Sequence, residues 1–118
     1  MDDSQPEQKK MNDETLVIKT GRSLDNNNAH EMVDIISTAQ AKGYKYIIVD
    51  MSALEFISSA GVGSILGTVE ISRGNGGDIV LCRVASQIRH VFELLDLTDY
   101  LTIRESEQDA FQACGIQK

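Results

Sequence analysis

Apolar positions along the chain alternate between two spacings, and each change of spacing marks an element. Residues 15–19 (Thr-Leu-Val-Ile-Lys) are a short β-branched run closed by Gly21, which predicts a strand. Ser23, Asp25 and the asparagines that follow offer turn and helix-cap chemistry. Ala29, Met32, Val33 and Ile36 then fall at i, i+3, i+4 and i+7, predicting an amphipathic helix to about Lys42, stopped by Gly43. Residues 46–51 (Tyr-Ile-Ile-Val-Asp-Met) are continuously apolar up to Asp50, the pattern of a central strand buried on both faces. From Ser59 the helical period returns through Val62, Ile65, Leu66 and Val69, ending near Arg73 before the turn-rich Gly74-Asn75-Gly76-Gly77.

Residues 78–84 predict a further strand. Ile88, Val91, Phe92 and Leu95 form a third helical stripe with Ser86 as its expected cap. A short strand at 101–103 and a short helix at 106–113, with Gly115 just past it, complete the pattern. Residues 1–14 are polar, hold the only proline (Pro6), and read as a flexible tail with a weak edge strand near Gln8 to Met11. The expected architecture is therefore one α/β domain over residues 15–118. Its small, mostly parallel sheet alternates with helices in the order β-α-β-α-β-α-β-α.

Composition agrees with this picture and narrows it. A chain of 118 residues, 42% hydrophobic and 25% charged, suits one globular domain. The net charge of −7 is uneven: residues 1–15 hold five acids against two lysines, and residues 96–109 hold five acids against one arginine. No basic stripe awaits phosphates, so neither nucleic acid nor an anionic membrane is expected as a partner. The longest apolar runs fall far short of the roughly 18 residues a membrane span needs. The acidic, polar opening Met1-Asp2-Asp3-Ser4 does not read as a signal peptide, and a cytoplasmic home is expected.

Residues 56–67 (Phe-Ile-Ser-Ser-Ala-Gly-Val-Gly-Ser-Ile-Leu-Gly) are not ordinary core. Two serines, Ser58 and Ser59, stand where a helix begins, and such an end presents unpaired N–H groups and a positive dipole. A hydroxyl placed there caps the helix or carries a phosphoryl group, whose charge would face those donors. Ala60, Gly61, Gly63 and Gly67 leave the first turns almost bare. Glycine in a helix costs about 1 kcal/mol relative to alanine, and either close helix–sheet packing or close approach of a partner backbone would give a reason for it.

Other chemistries find no support. Gly61, Gly63 and Gly67 read G-x-G-x-x-x-G, which is not the dinucleotide fingerprint, and G-x-x-x-x-G-K-[ST] and G-x-S-x-G are absent. His30 and His90 lie on predicted helices and make no metal spacing with Cys82 and Cys114. Asp50 lacks the companion acidic pair and later lysine of receiver domains, and reads as a loop or cap residue. No cofactor, metal or intrinsic catalysis is expected.

The stretch from Ile47 to Gly67 resembles the signature of STAS domains of the anti-sigma factor antagonist family, in which Asp-Ser-Ser-Gly, Asp-Ser-Thr-Gly or Ser-Ser-Ala-Gly heads the second helix. Gly21 to Asp25, Gly76 to Leu81 and Ile88 to Leu97 support the resemblance. The turn before Asp25 is one residue longer than the family's Gly-Glu-Leu-Asp and carries Arg22 in place of an acid. The resemblance implies an anti-sigma factor antagonist that works by partner switching; for the free chain a monomer is the default expectation, with the oligomeric state left open by the sequence. Unphosphorylated, it would bind a kinase-type anti-sigma factor. Phosphorylation on Ser59, with Ser58 as the alternative acceptor, would release it, and a serine phosphatase would reset it. Asp25, Ser58, Ala60, Gly61, Val62 and Gly63 would form the partner surface. The chain would be a substrate of these enzymes and not itself a catalyst. A different class remains open: a constitutive STAS scaffold subunit whose serines are plain caps.

Overall fold

The uninterrupted apolar run after Tyr46 becomes the middle strand of the sheet, with Ile47, Ile48 and Val49 all buried. The computed structural model describes residues 7–115; residues 1–6 of the expected tail and 116–118 lie outside the described residues. In chain order the elements are β1 (Glu7–Lys10), β2 (Thr15–Lys19), β3 (Ser23–Leu24), α1 (Ala29–Ala41), β4 (Tyr46–Asp50) and β5 (Phe56–Ile57). There follow α2 (Ser59–Gly74), β6 (Asp78–Cys82), α3 (Ser86–Leu94), β7 (Thr102–Arg104) and α4 (Glu107–Ala113). The main sheet has the order β1-β2-β4-β6-β7. β1 runs antiparallel to β2, and all other neighbours are parallel.

Alternation along the strands divides the core in two. Ile47 and Val49 of β4 face one layer with Ile18, Ile79 and Leu81, covered by Met32 and Ile36 of α1, Val62, Ile65 and Val69 of α2, and Ile88 and Phe92 of α3. Ile48 faces the opposite, smaller layer with Val17, Val80 and Cys82, covered by Ala110 and Phe111 of α4 and by Cys114.

Several local details depart from expectation for identifiable reasons. β6 stops at Cys82 because Arg83 takes a left-handed backbone (φ 53). The cap of α3 is Ala85, without a side-chain bond, and Ser86 is its first helical residue. At α4 the serine does cap: the Ser106 hydroxyl accepts from the Asp109 N–H at 3.0 Å. α3 ends in a Schellman turn, in which the Leu97 N–H donates to the Phe92 carbonyl (2.9 Å) and the Asp96 N–H to that of Glu93 (3.1 Å). Asp96, at φ 57, occupies the place glycine usually takes there.

The two thiols both sit in the smaller layer. Burial pushes Cys82 up to about 12, and the Asp50 and Glu107 carboxylates add to the shift. Burial likewise pushes Cys114 up to about 11, with Asp78 adding. Both thiols therefore stay protonated in the folded chain where an exposed one would ionise. Above about pH 9 the unfolded chain loses protons that the folded chain keeps, so these groups lower stability as pH rises.

Two outcomes follow from this packing. At pH 8 an aromatic disulfide reagent should leave both cysteines unlabelled in the native protein and label both in urea; rapid native labelling of either would contradict its burial. A Cβ at Gly77 would overlap the Lys45 carbonyl, whereas one at Gly67 meets open space. Urea unfolding should show Gly77→Ala destabilising by about 1–3 kcal/mol and Gly67→Ala stabilising by up to about 1 kcal/mol.

Candidate functional site

A second, two-stranded sheet builds the site. β3 pairs in parallel with β5, Ser23 opposite Phe56 and Leu24 opposite Ile57. The Arg22 carbonyl accepts from the Glu55 N–H (2.7 Å) and the Phe56 N–H (3.2 Å), and the Leu24 carbonyl accepts from the Ser58 N–H (3.0 Å). On the rim, Arg22 Nε pairs with the Glu55 carboxylate at 3.1 Å. The turn around Asp25 is thereby held against the start of α2. Two strands of two residues each leave no periodicity to read, so the sequence did not announce this pairing.

The two serines take different roles. Ser58 is the N-cap of α2, with extended backbone and a hydroxyl that accepts from the Gly61 N–H at 3.2 Å. It also donates to Asn26 Oδ1 at 3.4 Å. Ser59 is the first helical residue and is exposed, and its hydroxyl makes no hydrogen bond among the described residues. No acidic residue stands in the first turn. The helix end thus keeps its positive dipole uncompensated beside the free hydroxyl.

The small residues also divide. Gly61 is buried, and a Cβ on it would collide with the Leu24 carbonyl and lie 2.9 Å from Ile57 Cγ1. Its bareness lets α2 press on the small sheet. Val62 is buried in the core. Ala60, Gly63 and Gly67 are exposed, with nothing near the two glycines. Buried hydroxyls further along are satisfied within the helix, Ser64 by the Gly61 carbonyl (2.7 Å) and Thr68 by that of Ile65 (2.8 Å).

Asp25 is half-buried and serves its own turn: its Oδ1 accepts from the Asn27 N–H (2.9 Å), and its carbonyl accepts from the Ala29 N–H (2.8 Å). The residue of this loop that reaches Ser58 is Asn26, which sequence reasoning assigned only to general turn chemistry. Asn28 completes the turn, taking the Asp25 N–H on Oδ1 (2.9 Å) and giving Nδ2 to the Ser23 carbonyl (2.9 Å). Asp50 lies apart, buried, with Oδ1 accepting from the Ser52 N–H at 2.9 Å. Among the described residues no group of three His, Cys, Asp or Glu side chains is arranged to hold a metal, and no helix is long and apolar enough to cross a membrane.

Comparison with known proteins follows the same lines. The family model described as the STAS domain matches residues 7–110. The chain is 28% identical over 86 residues to BtrV of Bordetella bronchiseptica, covering 73% of this chain and 74% of that protein. It is 23% identical over 96 residues to the anti-sigma-B factor antagonist of Staphylococcus aureus, covering 81% and 89%. Among solved structures it is similar to the anti-sigma factor antagonist SpoIIAA in its unphosphorylated form, with a TM-score of 0.81 at 26% identity over 97% of this chain and 100% of that one. SpoIIAA of Bacillus in the phosphorylated form gives a TM-score of 0.73 at 25% identity, covering 92% and 98%.

The geometry orders three substitutions by their effect on folding. Ser58→Ala removes a cap and should lower stability by about 1 kcal/mol. Ser59→Ala should change it by less than about 0.5 kcal/mol. Gly61→Ala should cost about 1–3 kcal/mol through overpacking. Urea denaturation of the three variants checks the ranking, and an equal loss for Ser58 and Ser59 would contradict the division of roles.

Proposed function

Because the chain belongs to the STAS domain family, we propose that it acts as an anti-sigma factor antagonist through partner switching governed by Ser59. The observation that carries this reading is the contrast at the head of α2: the Ser58 hydroxyl holds the cap, while the Ser59 hydroxyl is exposed and unengaged. Ser59 is therefore the acceptor, and Ser58 holds the helix end that presents it. A kinase must reach an oxygen, and modification of Ser58 would break a bond the fold uses.

In the unphosphorylated state the head of α2, with exposed Ala60 and Gly63 and the loop of Asp25 and Asn26, docks on a kinase-type anti-sigma factor. Phosphoryl transfer joins Ser59 Oγ to the γ-phosphorus of an ATP held with Mg²⁺ by that kinase, expelling ADP and passing the hydroxyl proton to a base of the kinase. The chain contributes the acceptor and no catalytic group. The phosphate carries a charge of about −1.5 to −2 and faces the unpaired N–H groups of the first turn. The domain consequently tolerates the modification, and its effect falls on the interface. Closing an interface over that charge strips the hydration of its outward oxygens, which costs several kcal/mol, and each 1.4 kcal/mol is tenfold in affinity. A serine phosphatase restores the bare hydroxyl. ATP-dependent switching of this kind belongs in the cytoplasm.

Incubation with its cognate kinase-type anti-sigma factor and ATP, followed by peptide mass spectrometry, should find one phosphate on Ser59 and loss of the complex. Ser59→Asp should weaken binding at least tenfold, while Ser59→Ala should bind like the parent and accept no phosphate. Stable binding with neither serine modified would favour a constitutive scaffold instead.

A further inference from the structure

The C-terminal end of α3 and the turn after it expose more apolar surface than the fold needs. Leu94 is 70% exposed, Leu95 52% and Tyr100 40%. The turn is nonetheless tightly held, with the Tyr100 and Leu101 N–H groups both donating to the Leu97 carbonyl (3.1 and 2.9 Å). Arg73, near the end of α2, fixes the aromatic ring. Its guanidinium stacks 4.8 Å from the ring centroid, and Nη2 donates to the Tyr100 carbonyl at 2.7 Å. Nε donates to Asp78 Oδ1 at 3.0 Å, and Asp78 Oδ2 accepts from the Thr102 hydroxyl at 2.6 Å. An exposed ring immobilised in this way is an anchor already ordered before any partner arrives.

Charge specifies the partner. Glu93, Asp96 and Asp99 surround the two leucines in sequence, and no lysine or arginine occurs between residues 90 and 103. Among the described residues Glu93 has one exposed ion pair, with Arg89 on its own helix (4.0 Å), and its carboxylate lies 3.7 Å from His90 Nδ1. Asp96 and Asp99 enter no ion pair among the described residues. Asp96 also stands at φ 57, where glycine would be cheaper. An acidic rim repels nucleic acid and anionic lipid alike. It complements a cationic protein face.

We infer that this surface is a second protein-docking site, taking an amphipathic partner helix whose apolar face is flanked by lysine and arginine. It lies at the pole opposite Ser59. Ser59 and Arg73 stand fourteen positions apart in α2, about 21 Å along the axis. The two sites can therefore be occupied independently, and the inference stands apart from the reading of Ser59.

The test uses the full chain, isotopically labelled, titrated with a synthetic amphipathic helical peptide that has leucines on one face and lysines flanking them. A scrambled peptide of equal composition is the control. Resonances of residues 93–101 should shift while those of 58–63 stay still, and the scrambled peptide should bind at least fivefold more weakly. Leu94→Ser with Leu95→Ser should weaken binding at least tenfold without changing the melting temperature by more than a few degrees, since both side chains are exposed. Asp96→Asn with Asp99→Asn keeps a residue that tolerates the turn and should weaken binding severalfold while flattening its salt dependence. Ser59→Asp should leave it unchanged. Equal binding of the scrambled peptide, or shifts spread over all acidic segments, would overturn the proposal. So would concentration-dependent dimerisation abolished by the leucine substitutions, which would assign the surface to a second copy of the chain.

Discussion

Burial of β4 on both faces is the constraint from which the other arrangements follow. A strand with Ile47, Ile48 and Val49 all inaccessible needs cover above and below. α1, α2 and α3 supply it on one side and α4 on the other. Parallel neighbours then require crossovers, so each helix of the larger layer starts where a strand has just ended. The heads of α1 and α2, with the loops leading to them, consequently meet at one pole of the sheet. That is where open α/β sheets place their working residues. The same topology sends the ends of α2 and α3 to the other pole, where Arg73 meets Tyr100.

At the first pole a close backbone approach sets the geometry. Gly61 admits the Leu24 carbonyl into space that any side chain would fill. The small β3–β5 sheet can then lie against α2 and fix where the helix begins. Once Ser58 is the cap, Ser59 must be the first helical residue, facing outward with its hydroxyl free. A shift of one residue would exchange the two roles, so which hydroxyl is left free depends on a glycine two residues away from Ser59.

Legibility of the sequence tracked the length of the element. Strands such as β2 and helices such as α1 and α2 carry enough residues for a period to emerge, and the structure has them within a residue or two of expectation. β3 and β5 are too short for that, so the clamp joining Leu24 to Ser58 could not be read, nor could the reach of Asn26. The end of β6 was displaced by a left-handed Arg83, a conformation that arginine does not advertise. The Ser-Ser pair was legible as a helix head, but which serine caps is decided by the β3–β5 clamp, in which the Leu24 carbonyl accepts from the Ser58 N–H across thirty-four positions of sequence.

The glycines of α2 divide between those the fold uses and those it does not more sharply than the serines do. Gly61 returns its helix cost in packing against Leu24, but Gly63 and Gly67 meet no atom that a Cβ would touch. Each gives up about 1 kcal/mol relative to alanine for no contact inside the domain. The first charged residue of α2 is Glu70, so the helix shows solvent an uncharged, nearly bare backbone for three turns. A surface so stripped has little side-chain entropy to lose on docking and lets a partner come to backbone distance. At that separation the phosphate of the proposed switch would have no room to keep its hydration. In the switch proposed for Ser59, bareness along the helix and the free hydroxyl at its head would act together: the first would make the contact close, and closeness would make the charge decisive.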